Sequence, residues 1–504
     1  MADCLTERYS DQIKGVLHCF DRIVLFGTFN EIRYPGAMEW HLKQENVQFV
    51  DYEKKYAKKL RGYIRDHVKA VASYYSKEVE YINHNVRKED YVAKKLEARG
   101  RRPGLVCVLS AMESCRTYKV RKCQKGGFLC LKNCPGKCIH YYIYFIDKEL
   151  GLGYLRIPTW APFRLQLYFN GHDWLERKMK AEGIRYKKAD NTFTHISDFQ
   201  RANEIAANLD PNQLERKFNE IAEKWVGVFD RFHGQLSWSV FQAELATDVV
   251  FKNDQLLPQL YDEITRTAIS EFKCQDVYQF LGKRIYSRCK QFAEGRMQTL
   301  IEGTRIKHSI KSTSIKMYDK QDRVLRIETT TSDVSSFKCY RRVASRDGSC
   351  DFRRAPVRKA LSCISTVFDV LLACNKRYLS AISQMEDRTE EKHRLSKIVE
   401  SRKDSKGRSC RGINFFKQED LLFLNAILQG QHHIMGMRNR SLQPYLPGWK
   451  PQKIGRTLRR FHELGLLKKV AKTTKYYTTK LGKDVLAAAL QLRERIVLPE
   501  FKTM

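Results

Sequence analysis

The chain has 504 residues, 42% hydrophobic and 11% aromatic, which excludes a disordered chain and suits about three domains with cores of their own. It contains no run of about 18 apolar residues and no signal-peptide layout at its start; with 15 cysteines this points to reduced thiols in a cytoplasmic setting and to no membrane partner. A formal charge of +35, spread along the chain, implies a polyanionic partner, nucleic acid before an anionic membrane surface.

Residues 1–103 read as a mostly helical region. Asp21–Thr28 is a short apolar run ending in a turn, Tyr52–Ser76 has the charged periodicity of a helix, and Ala98–Pro103 closes the region. Residues 104–345 read as a central α+β domain with a cysteine-rich insertion. Its first strand, Gly104–Ser110, leads into Cys115, Cys123, Cys130, Cys134, Cys138 and His140. Cys130, Cys134, Cys138 and His140 are the candidate zinc ligands, although zinc sites are usually built from close pairs and no Cys-x2-Cys occurs here.

Ile139–Ile146, Tyr154–Ile157 and Phe163–Asn170 read as strands, followed by a helix Trp174–Glu182 with Asp173 as its N-cap. On the third strand Phe163, Leu165, Leu167 and Phe169 alternate with Arg164, Gln166, Tyr168 and Asn170. The second set, Arg164 and Tyr168 above all, suits contact with nucleic acid. Residues 196–232 are amphipathic helix, and Trp238–Phe251 is a strand with Gln242, Glu244 and Asp248 on one face. Residues four apart on a strand are about 13 Å apart, so Glu244 and Asp248 meet one metal only across a bulge; Gln242 and Glu244, about 7 Å apart, converge. Residues 256–293 are helical, and the basic stretch Glu302–His308 holds Arg305, Lys307 and His308.

Residues 314–330 alternate apolar and polar side chains on two arms, as a β-hairpin does. Ile315 and Met317 share one face with Leu325 and Ile327. A two-residue turn would mix the faces. A three-residue loop, Gln321–Arg323, sets Tyr318 opposite Arg326 and Lys316 opposite Glu328. The polar face then carries a phenol that can attack phosphorus, a carboxylate that can hold a metal, and the cations Lys316, Lys320 and Arg326 to balance charge. A solvated strand face would look the same in sequence.

In order, a strand with acid-Leu-Ala-x-Asp (Glu244–Asp248), a helix, a strand ending Tyr318-Asp-Lys320 and a strand Leu325-Arg-Ile-Glu328 resemble the rolling-circle replication initiators, the plasmid trans-acting Rep class and filamentous-phage replication proteins. The resemblance spans residues 236–332. It implies Tyr318 as a nucleophile that leaves a 5′-phosphotyrosyl link and a free 3′-hydroxyl. It also implies Glu244, Asp248 and Glu328 as acids around Mg2+ or Mn2+. His308 is a candidate proton shuttle. Glu244 stands where that class commonly has Asp, and there is no His-hydrophobic-His triplet, the mark of another nickase metal site.

Residues 346–412 read as a helical and basic linker, with the charge run Lys338–Arg346 before it and an apolar helix Ala360–Ser383 within it. Residues 413–504 resemble a winged helix-turn-helix: helices Asp420–Gln429, Arg440–Leu446 and Pro451–Leu464, a wing Leu466–Thr479, and a closing helix Leu481–Ile496. The third helix offers Lys453, Arg456, Arg459 and Arg460 to a DNA groove, and the wing offers Lys468, Lys469, Lys472 and Lys475 to phosphates. The expected fold is α+β: a central mixed or antiparallel sheet with helices, a helical N-terminal region and a C-terminal winged helix. The expected function is a metal-dependent DNA nickase. A non-catalytic DNA-binding regulator and a metal-dependent nuclease on RNA or DNA compete with it.

Overall fold

The structure, a computed structural model, describes residues 5–83, 85–100, 102–123, 126–270, 272–283, 293–300, 303–344, 348–386, 396, 398–403, 407, 409–483 and 485. The fold is α+β. The chain divides into two units, residues 1–385 and 386–504.

The first unit is built on an 11-stranded sheet. In chain order its strands are β1 (Ile13–Phe29), β2 (Val79–Tyr81), β3 (Gly104–Lys122), β4 (Leu129–Asp147), β5 (Gly151–Pro158) and β6 (Leu165–Asn170), then β9 (Leu236–Phe251), β10 (Ala293–Leu300), β11 (Gly303–Ile310), β12 (Thr313–Lys320) and β13 (Val324–Thr331). A small separate hairpin, β7 (Tyr186–Ala189) and β8 (Thr192–Ile196), lies between β6 and β9 in sequence. Across the sheet the order is β10-β11-β12-β13-β9-β1-β6-β5-β4-β3-β2, antiparallel except for the β2–β3 pair. The N-terminal region is helical over Pro35–Gln44, Ala57–Tyr74 and Lys88–Arg99, and it also supplies β1 at the middle of this sheet. The apolar run that begins at Asp21 is therefore part of a 17-residue strand, not a short segment ending in a turn.

The helices Ala57–Tyr74, Phe199–Ala207, Pro211–Trp225 and Ile364–Glu386 bury their apolar faces in the main core, with Ile64, Ala202, Phe218 and Val367 fully enclosed. A second core under β9 and β11–β13 takes in Val249, Ile306, Ile315, Met317, Leu325 and Ile327 with Leu257, Tyr261 and Tyr378. Asn375, on the same helix as Tyr378, is fully buried because Thr329 donates to it and it donates to the Leu245 carbonyl. Asn170, three residues before the expected position, is the N-cap of helix Gly171–Ala181: its side chain accepts from the Asp173 amide, while the Asp173 carboxylate is held by Lys188.

The stretch expected as a cysteine-rich insertion is the outer part of the β3–β4 hairpin, whose arms are 19 residues each. Beyond β13, β14 (Lys338–Ala344) and β15 (Cys350–Pro356) pair as a two-stranded ribbon. In the second unit, two-residue strands β16 (Arg402–Lys403) and β17 (Ser409–Cys410) precede helices Gln418–Ile427, Gly430–Met435, Asn439–Leu442 and Pro451–Glu463. A hairpin of β18 (Leu467–Lys469) and β19 (Tyr476–Thr478) follows. Most of the expected closing helix, residues 484 and 486–496, lies outside the described residues. No described helix is long and apolar enough to cross a membrane.

Candidate active site

The β12–β13 hairpin has the register its alternation predicts: Lys316 opposite Glu328, Tyr318 opposite Arg326, Lys320 opposite Val324, with Gln321–Arg323 as the loop. Gln321 and Asp322 carry the turn at φ of 56° and 55° without glycine. Two left-handed residues cost about 1–2 kcal/mol each. A one-residue slip between the arms would turn one arm's fully buried pair outward, Ile315 and Met317 or Leu325 and Ile327, at about 3–6 kcal/mol. The buried face therefore dictates the loop.

On the opposite face β9 lies beside β13, with Thr330 facing Glu244, Glu328 facing Ala246 and Arg326 facing Asp248. Glu244 and Glu328 are diagonal neighbours. The Tyr318 phenol donates to Glu328 Oε2 at 2.8 Å, and Lys316 Nζ donates to Glu328 Oε1 at 2.7 Å and Glu244 Oε1 at 3.2 Å. Thr330 Oγ1 also donates to Glu244 Oε1, at 2.6 Å. A third carboxylate, Asp21, arrives from β1. The β1–β9 register shifts between Phe20 and Arg22, so Asp21 is the extra residue of a β-bulge, a device that re-aims a side chain. One ligand oxygen from each of Asp21, Glu244 and Glu328 lies within 4.8 Å of the others. Three hard oxygen donors suit Mg2+ or Mn2+.

Beside this cluster, Arg326 and Asp248 form a closed pair. Arg326 Nε and Nη2 donate to the two Asp248 oxygens at 2.6 Å each, and Nη2 also donates to the Asn191 carbonyl at 2.8 Å. His172 Nδ1 lies 3.1 Å from Asp21 Oδ1, and its Nε2 lies 3.8 Å from Asp248 Oδ2, so the imidazole joins the pair to the cluster. Arg326 is 0% exposed and Asp248 1%. This corrects two expectations. Asp248 lies outside the three-carboxylate cluster, because the guanidinium fork already engages both its oxygens. Arg326 is enclosed, with its guanidinium taken up by Asp248 and the Asn191 carbonyl, and is not on an open face.

Charge follows burial and neighbours. Burial pushes the Tyr318 phenol well above its ordinary value, and the Glu328 charge adds to this. Burial also raises Glu328, and the Glu244 and Asp21 charges raise it further against Lys316, so its affinity for a proton is increased. At Lys316 burial works to lower the pKa, but the Glu328 and Glu244 charges outweigh it and the ammonium is held. Burial works to raise Asp21 too; the adjacent His172 imidazole and the Arg326 charge prevail, and Asp21 is held far below the usual carboxylate range.

Arg305 faces Tyr318, and Lys307 faces Lys316, from β11, half-buried on the site face. Lys320 lies 3.7 Å from Asp190 at the tip of the β7–β8 hairpin. Gln242 stands one step beyond Glu244, opposite Val24. His308 is on the other face. It packs against Phe272 and Tyr378 at centroid distances of 5.6 and 5.8 Å, so it has no route to the phenol as a proton shuttle. Tyr168 is half-buried with the Arg22 guanidinium 5.1 Å from its ring centre, and Arg164 is exposed with its guanidinium 4.0 Å from the Phe26 ring centre.

Cys130, Cys134, Cys138 and His140 all lie on the one strand β4. Cysteines four residues apart on a strand are about 13 Å apart, too far to share an ion, so this zinc set is not formed. His140 Nδ1 instead meets the Cys138 carbonyl at 3.1 Å.

In the second unit, Pro451 opens helix Pro451–Glu463, at a position where a missing N–H costs no helical hydrogen bond. Ile454 and Leu458 of this helix lie in the core, and Arg456 and Arg459 are exposed. Lys453 donates to Glu419 at 2.7 Å and lies over the Trp449 ring. Arg460 is turned inward onto Asp420, a carboxylate Arg411 also reaches, and does not lie on the exposed face expected of it. Lys468, Lys469 and Lys472 are exposed on the β18–β19 hairpin, and Lys475 lies 5.3 Å from the Tyr477 ring centre.

The sequence reading missed Asp21 and His172. Asp21 was legible only as a lone acid in the run Cys19-Phe-Asp-Arg-Ile-Val-Leu-Phe26. His172 carried no signal beyond its place at a helix start.

No protein-family model matches the chain, and no curated protein matches it. Among solved structures, the rolling-circle replication initiator protein from Geobacillus stearothermophilus aligns over 71% of this chain and 97% of that one, at 12% identity and a TM-score of 0.18. A likeness that slight carries no argument here.

Proposed function

We propose that the first unit is a metal-dependent DNA strand nickase of the replication-initiator kind, with Tyr318 as nucleophile, and that the second unit binds duplex DNA as a winged helix-turn-helix. The observation that carries the reading is the Tyr318–Glu328 hydrogen bond at the rim of a three-carboxylate cluster. Asp21, Glu244 and Glu328 supply the donors for Mg2+ or Mn2+; when bound, the ion withdraws charge from the phosphoryl oxygens. Glu328 Oε2, which already accepts the phenol's hydrogen bond, takes the phenolic proton. The phenolate oxygen bonds to phosphorus, the bond from phosphorus to the 3′-oxygen breaks, and that oxygen takes a proton from solvent. The product is a 5′-phosphotyrosyl link and a free 3′-hydroxyl. Arg305, Lys307 and Lys316 on the site face balance the phosphate charge.

The burial that raises the phenol favours a second reading, in which water attacks and Tyr318 only orients Glu328. Labelled single- and double-stranded DNA and RNA, incubated with Mg2+, Mn2+ or EDTA and run on a denaturing gel, separate the two. A covalent adduct that Tyr318→Phe abolishes supports the nickase. Cutting that survives Tyr318→Phe but not Glu328→Gln supports the water mechanism. No cutting with any metal leaves a DNA-binding regulator.

A further inference from the structure

The β14–β15 ribbon carries charge and aromatic surface that the carboxylate cluster does not use. Its arms pair from Lys338 opposite Pro356 to Ala344 opposite Cys350. Alternation puts Lys338, Tyr340 and Arg342 of one arm on the same face as Phe352 and Arg354 of the other, and all five are exposed. The reverse face anchors the ribbon: Cys339 packs on the main core and Ala355 is buried.

On the outward face Tyr340 sits opposite Arg354 and Arg342 opposite Phe352, so rings and guanidinium groups alternate like a checkerboard. The two rings are diagonal neighbours, 6.1 Å between centres and 22° from parallel. They are 68% and 70% exposed, so folding leaves most of their apolar surface in water. Lys338, Arg342 and Arg354 make no ion pair among the described residues, and this face carries no carboxylate to oppose them. Exposed, nearly parallel rings flanked by exposed cations match what an unpaired strand offers, bases with open faces and phosphates between them. Duplex bases are already stacked, and rings reach their faces only by unstacking them.

We propose that this face binds a single nucleic-acid strand, with bases stacked on Tyr340 and Phe352 and phosphates met by Lys338, Arg342 and Arg354. The proposal does not depend on strand scission by Tyr318. Fluorescence anisotropy of the full chain in EDTA tests it, with labelled oligo-dT and oligo-U of about 15 nucleotides and a mixed-sequence duplex of equal length. Tyr340→Ala/Phe352→Ala is expected to weaken binding of one or both single strands by roughly tenfold per ring, with duplex binding unchanged. Arg342→Ala/Arg354→Ala is expected to flatten the salt dependence of single-strand binding by about 0.7 per lost phosphate contact. All four side chains are exposed, so an unchanged thermal midpoint separates lost binding from lost folding. Failure of the wild type to bind either oligonucleotide, unaltered single-strand binding by Tyr340→Ala/Phe352→Ala, or equal loss on the duplex overturns it.

Discussion

Arg326 and Asp248 face each other across β13 and β9 and share two hydrogen bonds of 2.6 Å with neither side chain open to solvent. Removing one member leaves the other charged and enclosed, which typically costs about 3–5 kcal/mol, whereas replacing both with apolar groups of similar size is often close to neutral, roughly within a few kcal/mol. Arg326→Met is therefore expected to lower stability by about 3–5 kcal/mol, and Arg326→Met/Asp248→Leu to recover most of the loss. Urea unfolding of the two variants checks this; equal destabilisation by both would contradict it.

The Lys316 ammonium touches two of the three carboxylates that would hold a divalent ion. A lysine and a metal then compete for the same oxygens. Mn2+ at about 100 times its Kd is expected to stabilise the protein by about 2.7 kcal/mol, read as a rise in thermal midpoint. Asp21→Asn should abolish that rise. Lys316→Met should lower the midpoint without metal and tighten Mn2+ binding. Equal Mn2+ response in Asp21→Asn would remove the bulge residue from the site.

In the second unit the cations of helix Pro451–Glu463 divide by partner. Arg456 and Arg459 are exposed, while Arg460 is committed to Asp420, itself buried. Arg456→Ala and Arg459→Ala are each expected to weaken duplex binding and to reduce its salt slope by about 0.9 per lost phosphate contact. Arg460→Ala should instead lower stability, by about 1–3 kcal/mol, because it leaves a buried acceptor without one of its donors. Filter binding at several salt concentrations, with thermal melts of the same variants, distinguishes the two effects.

The hairpin register was legible because four apolar residues on two arms must share one face, a local constraint. Asp21 was not, because a bulge reverses which side of β1 its carboxylate takes, and no alternation pattern shows a bulge. The Arg326–Asp248 pair was hidden for a different reason. Both residues were read as site groups, yet only the long-range pairing of β13 with β9 makes them neighbours. The β3–β4 hairpin was obscured by cysteines at four-residue spacing, which suggested ligands where the chain runs as a strand. Lys338–Arg346 showed its charge but not the ribbon that gives one face both charge and rings.

His308 gives the fold a dependence on pH. Its imidazole is buried between Phe272 and Tyr378, and burial lowers its pKa from 6.5 to about 4. As pH falls below 6.5 the unfolded chain takes up a proton at this site that the folded chain refuses until about pH 4. The unfolded state therefore gains more protons across that window, and folding stability falls as pH falls. At about 1.36 kcal/mol per pH unit, the loss between about pH 6.5 and 5 is about 2 kcal/mol. His308→Leu keeps the site apolar and removes the titration. Its unfolding free energy should change less than the wild type's between about pH 7.5 and 5, by about 2 kcal/mol. Parallel pH profiles for the two proteins would show that His308 does not carry the effect.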